Sequence, residues 1–106
     1  MVARGEVWLA RLNPTKGREI RKTRPCVIVS PPELHDFLDV VIIAPLTTGS
    51  RPAPFRLSLT FAGKSGFILL DQIRTVDKRR LTRRLGVMSR RDLSATLALL
   101  QELFSE

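Results

Sequence analysis

Short apolar runs, separated by turn-forming residues, divide most of the chain into predicted β-strands. The runs cover residues 5–12, 24–30, 39–45, 55–59, 66–70 and 85–88, and Asn, Gly and Pro lie between them. Residues 39–45 are almost continuously apolar, which predicts a strand buried on both faces. Residues 55–59 alternate apolar and polar side chains, which predicts a strand with one face in water.

The last eighteen residues follow a helical period instead. Ser89 and Asp92 form a Ser-x-x-Asp capping box, which predicts that a helix begins there. The apolar stripe that should pack this helix on the sheet comprises Leu93, Leu97, Leu100 and Phe104, widened by Leu99 and Leu103. Residues 33–37 predict one further helical turn, with His35 at the surface. The pattern therefore predicts a mainly β fold, a strongly bent sheet or small barrel covered by one C-terminal α-helix.

Composition limits the possibilities further. A chain of 106 residues is expected to form a single domain over residues 1–106. The formal net charge is +8, which indicates a polyanionic partner. Nucleic acid is the first candidate, an acidic protein is the second, and charge for solubility alone is the simplest alternative.

The lengths of the apolar runs, the N-terminus and the single cysteine predict where in the cell the protein is located. The apolar runs are too short to span a bilayer, and the N-terminus has no apolar signal-peptide core. The single cysteine, Cys26, lies in an apolar run and is predicted to be a buried packing residue. We therefore expect a cytoplasmic protein with no membrane contact.

The common catalytic motifs are absent from the sequence. It has no Gly-rich phosphate loop, no His/Cys metal set and no Ser-His-Asp order, so neither a metal nor a cofactor is expected. Arg24 is more informative, because Pro25 favours an extended backbone before it and fits the start of a strand. Arg24 therefore lies where a polar loop meets a rigid strand.

One reaction needs no protein nucleophile and no metal. In RNA, the 2′-hydroxyl can attack the adjacent phosphorus, and the protein then has to hold the phosphate, stabilise charge and move a proton. Arg24 suits charge stabilisation, because a guanidinium matches phosphate oxygens with two donors and stays charged. Thr47 offers a hydroxyl, and Glu19 and Asp71 are candidate proton carriers.

Several short motifs, taken in order, resemble those of the MazF/PemK/Kid toxins of bacterial toxin–antitoxin systems. The resemblance rests on Gly5-Glu6-Val7-Trp8-Leu9, Asn13-Pro14-Thr15-x-Gly17-x-Glu19, Thr23-Arg24-Pro25, Pro45-Leu46-Thr47-Thr48, Pro54-Phe55, and Asp71 to Asp77 followed by Lys78-x-Arg80-Leu81. Each motif alone is weakly specific, whereas their order and spacing together are highly specific.

The resemblance implies an SH3-like barrel of the CcdB/MazF type, a homodimer and a metal-independent endoribonuclease. Its substrate would be single-stranded RNA, cut to a 2′,3′-cyclic phosphate and a 5′-hydroxyl. Arg24 and Thr47 match the catalytic arginine and threonine of the family, and Glu19 matches a loop glutamate. Asp71 matches an aspartate proposed as acid/base in the Kid branch. That branch has an arginine where this chain has Leu69, so the Arg24/Thr47 version is favoured and the base is left open, with Glu19 first.

Substrate and partner contacts are expected from the loops. The residues predicted to bind RNA are Lys16, Arg18, Arg21, Lys22, Thr48, Arg51 and Gln72. An acidic cognate antitoxin is the expected protein partner. The two alternative functions are a CcdB-like gyrase poison, whose family lacks the Arg-Pro and Thr motifs, and a non-catalytic basic RNA-binding module.

Overall fold

A computed structural model describes residues 2–13, 17 and 22–106 of the chain. Its strands are β1 (Glu6–Arg11), β2 (Thr23–Ile28), β3 (Val40–Thr47), β4 (Arg56–Phe61), β5 (Lys64–Leu69), β6 (Arg74–Asp77) and β7 (Leu81–Val87). The helices are α1 (Pro32–Phe37) and α2 (Arg90–Leu103), and two single 3₁₀ turns cover Leu70–Gln72 and Lys78–Arg80. No helix in the described part of the chain has the length and hydropathy needed to cross a bilayer.

The strands form one antiparallel sheet in which β3 is the central element. The order is β4-β5-β3-β2-β1-β7, and β6 pairs with β3 outside this path. The first four residues of β3 pair with β6, whereas its last two pair with β5. On its other edge β3 pairs with β2. Because β3 changes partner along its length, the sheet bends there. The element order confirms the predicted mainly β fold with a terminal helix.

Apolar side chains fill both faces of the central strands. Val27 and Ala44 belong to one core cluster, while their chain neighbours Ile28 and Ile43 belong to the other. Successive side chains of a strand point to opposite faces, so each central strand contributes to both clusters. Cys26 is fully buried in the second cluster, as predicted. Burial raises the pKa of its thiol to about 12, so Cys26 serves packing rather than thiolate chemistry.

Helix α2 begins where the capping box predicts. The Ser89 hydroxyl accepts a hydrogen bond of 3.1 Å from the backbone N–H of Asp92. Leu93, Leu99 and Leu100 pack against the first core cluster. The expectation for Phe104 is wrong, because this residue forms the C-cap and its side chain is 73% exposed.

The prediction that His35 lies at the surface is also wrong, since His35 is only 7% exposed. The Ser30 hydroxyl accepts from the N–H of Ile42 and can therefore donate its own proton to Nε2 of His35. The Nδ1–H then donates to the carbonyl oxygen of Val2 at 3.3 Å. Both ring nitrogens are satisfied, which allows a polar ring to be buried.

Strand β7 starts four residues earlier than predicted. The sequence indicates a solvated basic face over residues 78–84, yet Leu81, Arg83 and Arg84 pair with β1. Ladder hydrogen bonds use the backbone, so a run of charged side chains does not prevent a strand when those side chains stay exposed, as Arg83 and Arg84 do.

Candidate active site

Five of the predicted site residues line one cavity of about 660 Å³ beside the ends of β2, β3 and β5. They are Arg24, Thr47, Thr48, Asp71 and Gln72. The remaining lining residues are Gly49, Ser50, Arg56 and Leu69. The fold thus joins side chains that lie up to 48 positions apart in the sequence, Arg24 and Gln72 being the extremes.

Arg24 and Thr47 meet because of the register between β2 and β3. Cys26 lies opposite Pro45 in this antiparallel pair. Two residues further along, the same register brings Arg24 opposite Thr47. A rigid pair of strands therefore sets the position of the arginine and the threonine relative to each other.

Thr47 is held by its neighbours on both the backbone and the side chain. Its backbone pairs with Phe67 of β5, and its hydroxyl accepts a hydrogen bond of 3.3 Å from the N–H of Gly49. Gly66 allows β5 to approach, because a Cβ atom at residue 66 would lie well inside contact distance of the Thr47 carbonyl oxygen. Only glycine fits this site without a backbone shift.

Asp71 is paired with Arg56, a residue that sequence analysis did not identify. Nε and Nη2 of Arg56 donate to the two carboxylate oxygens at 3.0 and 2.9 Å. Nη1 of Arg56 makes a short hydrogen bond to the Ser50 hydroxyl. The hydrogen bond from Arg56 lowers the pKa of Asp71, so this carboxyl group is ionised at neutral pH.

The strand register explains why Arg56 was missed. The alternating pattern of residues 55–59 places Arg56 on the polar face of a strand, but it does not identify a partner. Arg56 lies directly opposite Leu69 in the β4–β5 hairpin. This chain has Leu69 where the Kid-type pattern implies an arginine. The guanidinium that contacts Asp71 comes instead from Arg56, on the neighbouring strand.

A second cavity, of about 390 Å³, adjoins the first at Arg24, Thr47 and Thr48. Its other lining residues are mostly apolar: Pro25, Leu46, Leu59, Phe61, Ala62, Phe67 and Leu85, together with Lys64 and Gly66. The arginine and threonine consequently lie at the boundary between a polar cavity and an apolar one.

Two further predicted site residues that the structure describes, Lys22 and Arg51, do not line the polar cavity. Lys22 lines a separate basic cavity with Arg11, Asn13, Thr23, Arg79 and Arg80. Arg51 is exposed in the loop between β3 and β4. The predictions for Lys16, Arg18, Glu19 and Arg21 lie outside the described residues.

Two arginines fix the end of β1, where the segment containing these residues begins. Arg80 Nη1 donates to the carbonyl oxygens of Arg11, at 3.0 Å, and of Asn13. Arg74 Nη1 donates to the carbonyl oxygen of Leu12 at 3.1 Å. Three successive carbonyl groups are thus bound by guanidinium groups, and the basic run over residues 78–84 did not indicate this role for Arg80.

Comparison with known proteins identifies the family. The model of the PemK-like, MazF-like toxins of type II toxin–antitoxin systems matches residues 3–104. The chain belongs to this toxin family. The family prediction made from the motifs is therefore confirmed.

Individual MazF/PemK relatives agree with this result. Endoribonuclease PemK of Escherichia coli is 39% identical over 79 residues, which cover 70% of this chain and 59% of that protein. Endoribonuclease MazF of Staphylococcus epidermidis is 36% identical over 95 residues, which cover 84% of this chain and 79% of that protein. The match thus spans about three fifths of the first relative and four fifths of the second.

Solved MazF structures share the fold. A crystal structure of MazF from Deinococcus radiodurans superposes with a TM-score of 0.84 at 25% identity, covering 96% of this chain and 94% of that one. An endoribonuclease from a mycobacterial species, solved in complex with its cognate antitoxin, gives a TM-score of 0.80 at 22% identity, covering 96% and 93%.

Proposed function

We propose that this chain is the toxin of a type II toxin–antitoxin system and acts as an endoribonuclease on single-stranded RNA. The observation that carries the proposal is the shared cavity of Arg24 and Thr47, in a chain that belongs to the MazF/PemK family. The curated relatives are both named endoribonucleases, which supports the same activity here.

The proposed reaction is cleavage by the substrate's own 2′-hydroxyl. The 2′-oxygen bonds to phosphorus while the bond from phosphorus to the 5′-oxygen breaks, leaving a 2′,3′-cyclic phosphate and a 5′-hydroxyl. Arg24 stabilises the negative charge that builds on the phosphate oxygens, and the Thr47 hydroxyl donates a hydrogen bond to the same group. No step in this scheme requires a metal ion.

The proton of the 2′-hydroxyl needs an acceptor. Arginine is a poor one, because its guanidinium stays protonated in proteins. Glu19 remains the first candidate, although it lies outside the described residues. Asp71 is the second, and its ion pair with Arg56 weakens it as a base, since a lowered pKa means weaker basicity.

The two adjoining cavities suit two parts of a nucleotide, the phosphate and the base. We assign phosphate to the polar cavity, where Arg24 lies, and a nucleobase to the apolar cavity that contains Phe61 and Phe67. The further proposed RNA contacts are Lys16, Arg18, Arg21, Lys22, Thr48, Arg51 and Gln72. Binding to phosphates releases counterions, so affinity for RNA is expected to fall as salt rises.

Cleavage of a long RNA in the presence of EDTA tests the proposal. The wild-type protein should cut it, whereas Arg24→Ala and Thr47→Ala should keep the fold and lose roughly 10²- to 10³-fold or more in rate. Arg91→Gln is the matched control for loss of charge, because Arg91 is exposed on α2, away from the cavity. If EDTA stops the wild type, or if both cavity variants cut normally, the proposed mechanism is wrong.

A cognate acidic antitoxin is the proposed protein partner. The net charge of +8 favours an acidic segment, and a mycobacterial endoribonuclease with the same fold has been solved in complex with its cognate antitoxin. We also propose a homodimer that acts in the cytoplasm. The dimer is supported by exposed apolar side chains on β7 and after α2, Val87 and Phe104.

A further inference from the structure

We propose that Arg56 is a second catalytic cation of this site, oriented by Asp71 and Ser50 to contact the phosphate that is cleaved. This inference rests on the proposed ribonuclease function and adds to Arg24 a residue that the motifs do not mark.

Arg56 faces the same reaction space as Arg24 and Thr47. All three line the polar cavity of about 660 Å³. In the sheet order β4-β5-β3-β2, three strand spacings separate β4 from β2, about 14 Å if the sheet were flat. Arg24 and Arg56 nevertheless line the same cavity. A phosphate between the two strands is then approached by one long cationic side chain from each side.

The guanidinium of Arg56 is fixed before any substrate arrives. Two of its nitrogens hold both oxygens of Asp71, at 3.0 and 2.9 Å, and the third holds Ser50. A bidentate pair fixes the plane of the guanidinium as well as its position. Because the side chain of Arg56 is only 20% exposed, it has little freedom to move elsewhere. A donor fixed in advance needs no reorganisation during the reaction.

Arg56 still has donors for a ligand. A guanidinium carries five N–H groups, and three of them bond to Asp71 and Ser50. The other two have no partner among the described residues. They belong to Nη1 and Nη2, the two nitrogens at the end of the side chain, which suits two oxygens of one phosphate.

This arrangement assigns Asp71 a positioning role instead of a proton-transfer role. Its two oxygens bind the arginine, and that hydrogen bonding keeps the carboxylate ionised. A carboxylate in this state orients the cation and balances its charge when no RNA is bound. In the transition state, the extra negative charge on the phosphate then falls between Arg24 and Arg56.

Steady-state cleavage of a short RNA tests the role of Arg56. The RNA carries one cleavage site, mapped from the 5′-hydroxyl ends of a longer cleaved RNA. Arg56→Gln should lower kcat by roughly 10²- to 10³-fold, and Arg56→Lys by less, because lysine keeps the charge but loses the planar fork. Arg91→Gln, which removes the same charge on α2, should leave kcat unchanged.

Binding separates catalysis from substrate capture. The same RNA with a 2′-deoxy sugar at the cleaved nucleotide cannot react, and its Kd should change far less than kcat in Arg56→Gln. A kcat for Arg56→Gln equal to that of the control overturns the proposal. So does a loss confined to Kd, which makes Arg56 a binding residue only. If Arg56→Gln melts below the assay temperature, Arg56→Lys provides the same comparison.

A double-mutant cycle tests the positioning role of Asp71. Asp71→Asn should lower kcat, and adding it to Arg56→Gln should cause no further loss, because Asp71 acts through Arg56. The pH profile of kcat should keep its shape in Asp71→Asn. The positioning role is overturned if the two losses in kcat multiply in the double variant. It is also overturned if an ionisation in the pH profile of kcat disappears in Asp71→Asn. Normal cleavage by Arg24→Ala instead contradicts the proposed function itself, so the two failures are distinguishable.

Discussion

Gly66 has no side chain, and for this reason the backbone of β5 can lie against the backbone of Thr47. Residue 66 lies in β5, beside the carbonyl group of Thr47 and close to Cα of Thr48, 3.1 Å from where a Cβ atom would lie. The approach of two backbones sets where the Thr47 hydroxyl points. A residue with no chemistry of its own is therefore part of the geometry of the site.

Gly66→Ala should displace the C-terminal end of β3. The added methyl group meets backbone, which cannot swing aside, so we expect about 1–3 kcal/mol of destabilisation. Stability should fall more than that of Gly49→Ala, whose added methyl group would meet nothing within 4 Å, and cleavage by Gly66→Ala should fall below that of the wild type. Urea unfolding and cleavage rates measure the two effects, and equal stability of both alanine variants would contradict the close approach.

The ion pair of Asp71 and Arg56 should make stability depend on pH in the acid range. The pKa of Asp71 is lowered in the folded state, so its contribution is present above the unfolded pKa of about 3.9 and is lost as pH falls through the folded value. The side chains are 20% and 38% exposed, so solvent screening limits the contribution to about 0.5 kcal/mol.

Urea unfolding of wild type and Asp71→Asn measures this contribution. At about pH 6 the wild type should be the more stable, and the difference should shrink as the pH falls below the unfolded pKa of about 3.9. Asp36→Asn serves as control, because Asp36 is exposed on α1 and forms no ion pair within the described residues. A constant difference across the whole pH range would mean that the ion pair does not contribute.

At the level of elements, β3 organises the site by pairing with three other strands. It pairs with β2 and β6 in its N-terminal and central parts and with β5 at its end. The change of partner bends the sheet and brings the loop after β3 next to the turn after β5. Arg24, from β2, and Asp71, from that turn, then face one cavity.

The end of β1 is a second organising element, held by Arg74 and Arg80. Arg80→Gln should release the carbonyl groups of Arg11 and Asn13 and cost about 1 kcal/mol of stability. Because the segment that contains Glu19 begins there, cleavage should fall further than stability alone explains. Arg83→Gln is the control, since Arg83 is exposed on β7. The measurements are Tm and the cleavage rate at a temperature where both variants are folded, and equal rates would contradict the anchoring role.

At the scale of the whole molecule, the large exposed apolar side chains of the described residues lie in two places, at the end of α1 (Phe37 and Leu38) and on β7 or after α2 (Val87 and Phe104). Val87, on the edge strand β7, is 56% exposed, and Phe104, after α2, is 73% exposed. Phe37, on α1, is 84% exposed but belongs to a different element. An edge strand with apolar side chains is a site where a second copy of the chain can pack.

Val87→Glu should weaken the proposed homodimer, because a carboxylate buried without a partner is strongly unfavourable. Analytical ultracentrifugation should show a dimer for the wild type and a shift towards monomer for the variant. Phe37→Glu should remain dimeric and thus controls for added negative charge. A wild type that sediments as a monomer, or a Phe37→Glu variant that dissociates equally, would reject this interface.

Local sequence determined much of the fold. The positions of β1 to β5 follow from apolar runs between turn residues, and the start of α2 follows from Ser89, because these signals are short-range. No apolar run predicted β6, and β7 begins in a basic run. The ordered motifs also identified the family and selected Arg24, Thr47 and Asp71. Both cores follow from β2 and β3 being apolar at successive positions.

Tertiary structure alone decided which side chains meet. The partnership of Arg56 with Asp71 depends on the β4–β5 register and on the turn after β5, and nothing in either segment identifies the other. The same holds for the burial of His35 beside Ser30 and for the carbonyl contacts of Arg80. Local sequence predicts that a charged or polar residue is exposed to solvent, because the residue's partner is distant in the chain. Pairing across the sheet supplies that partner, and with it the geometry of the proposed site.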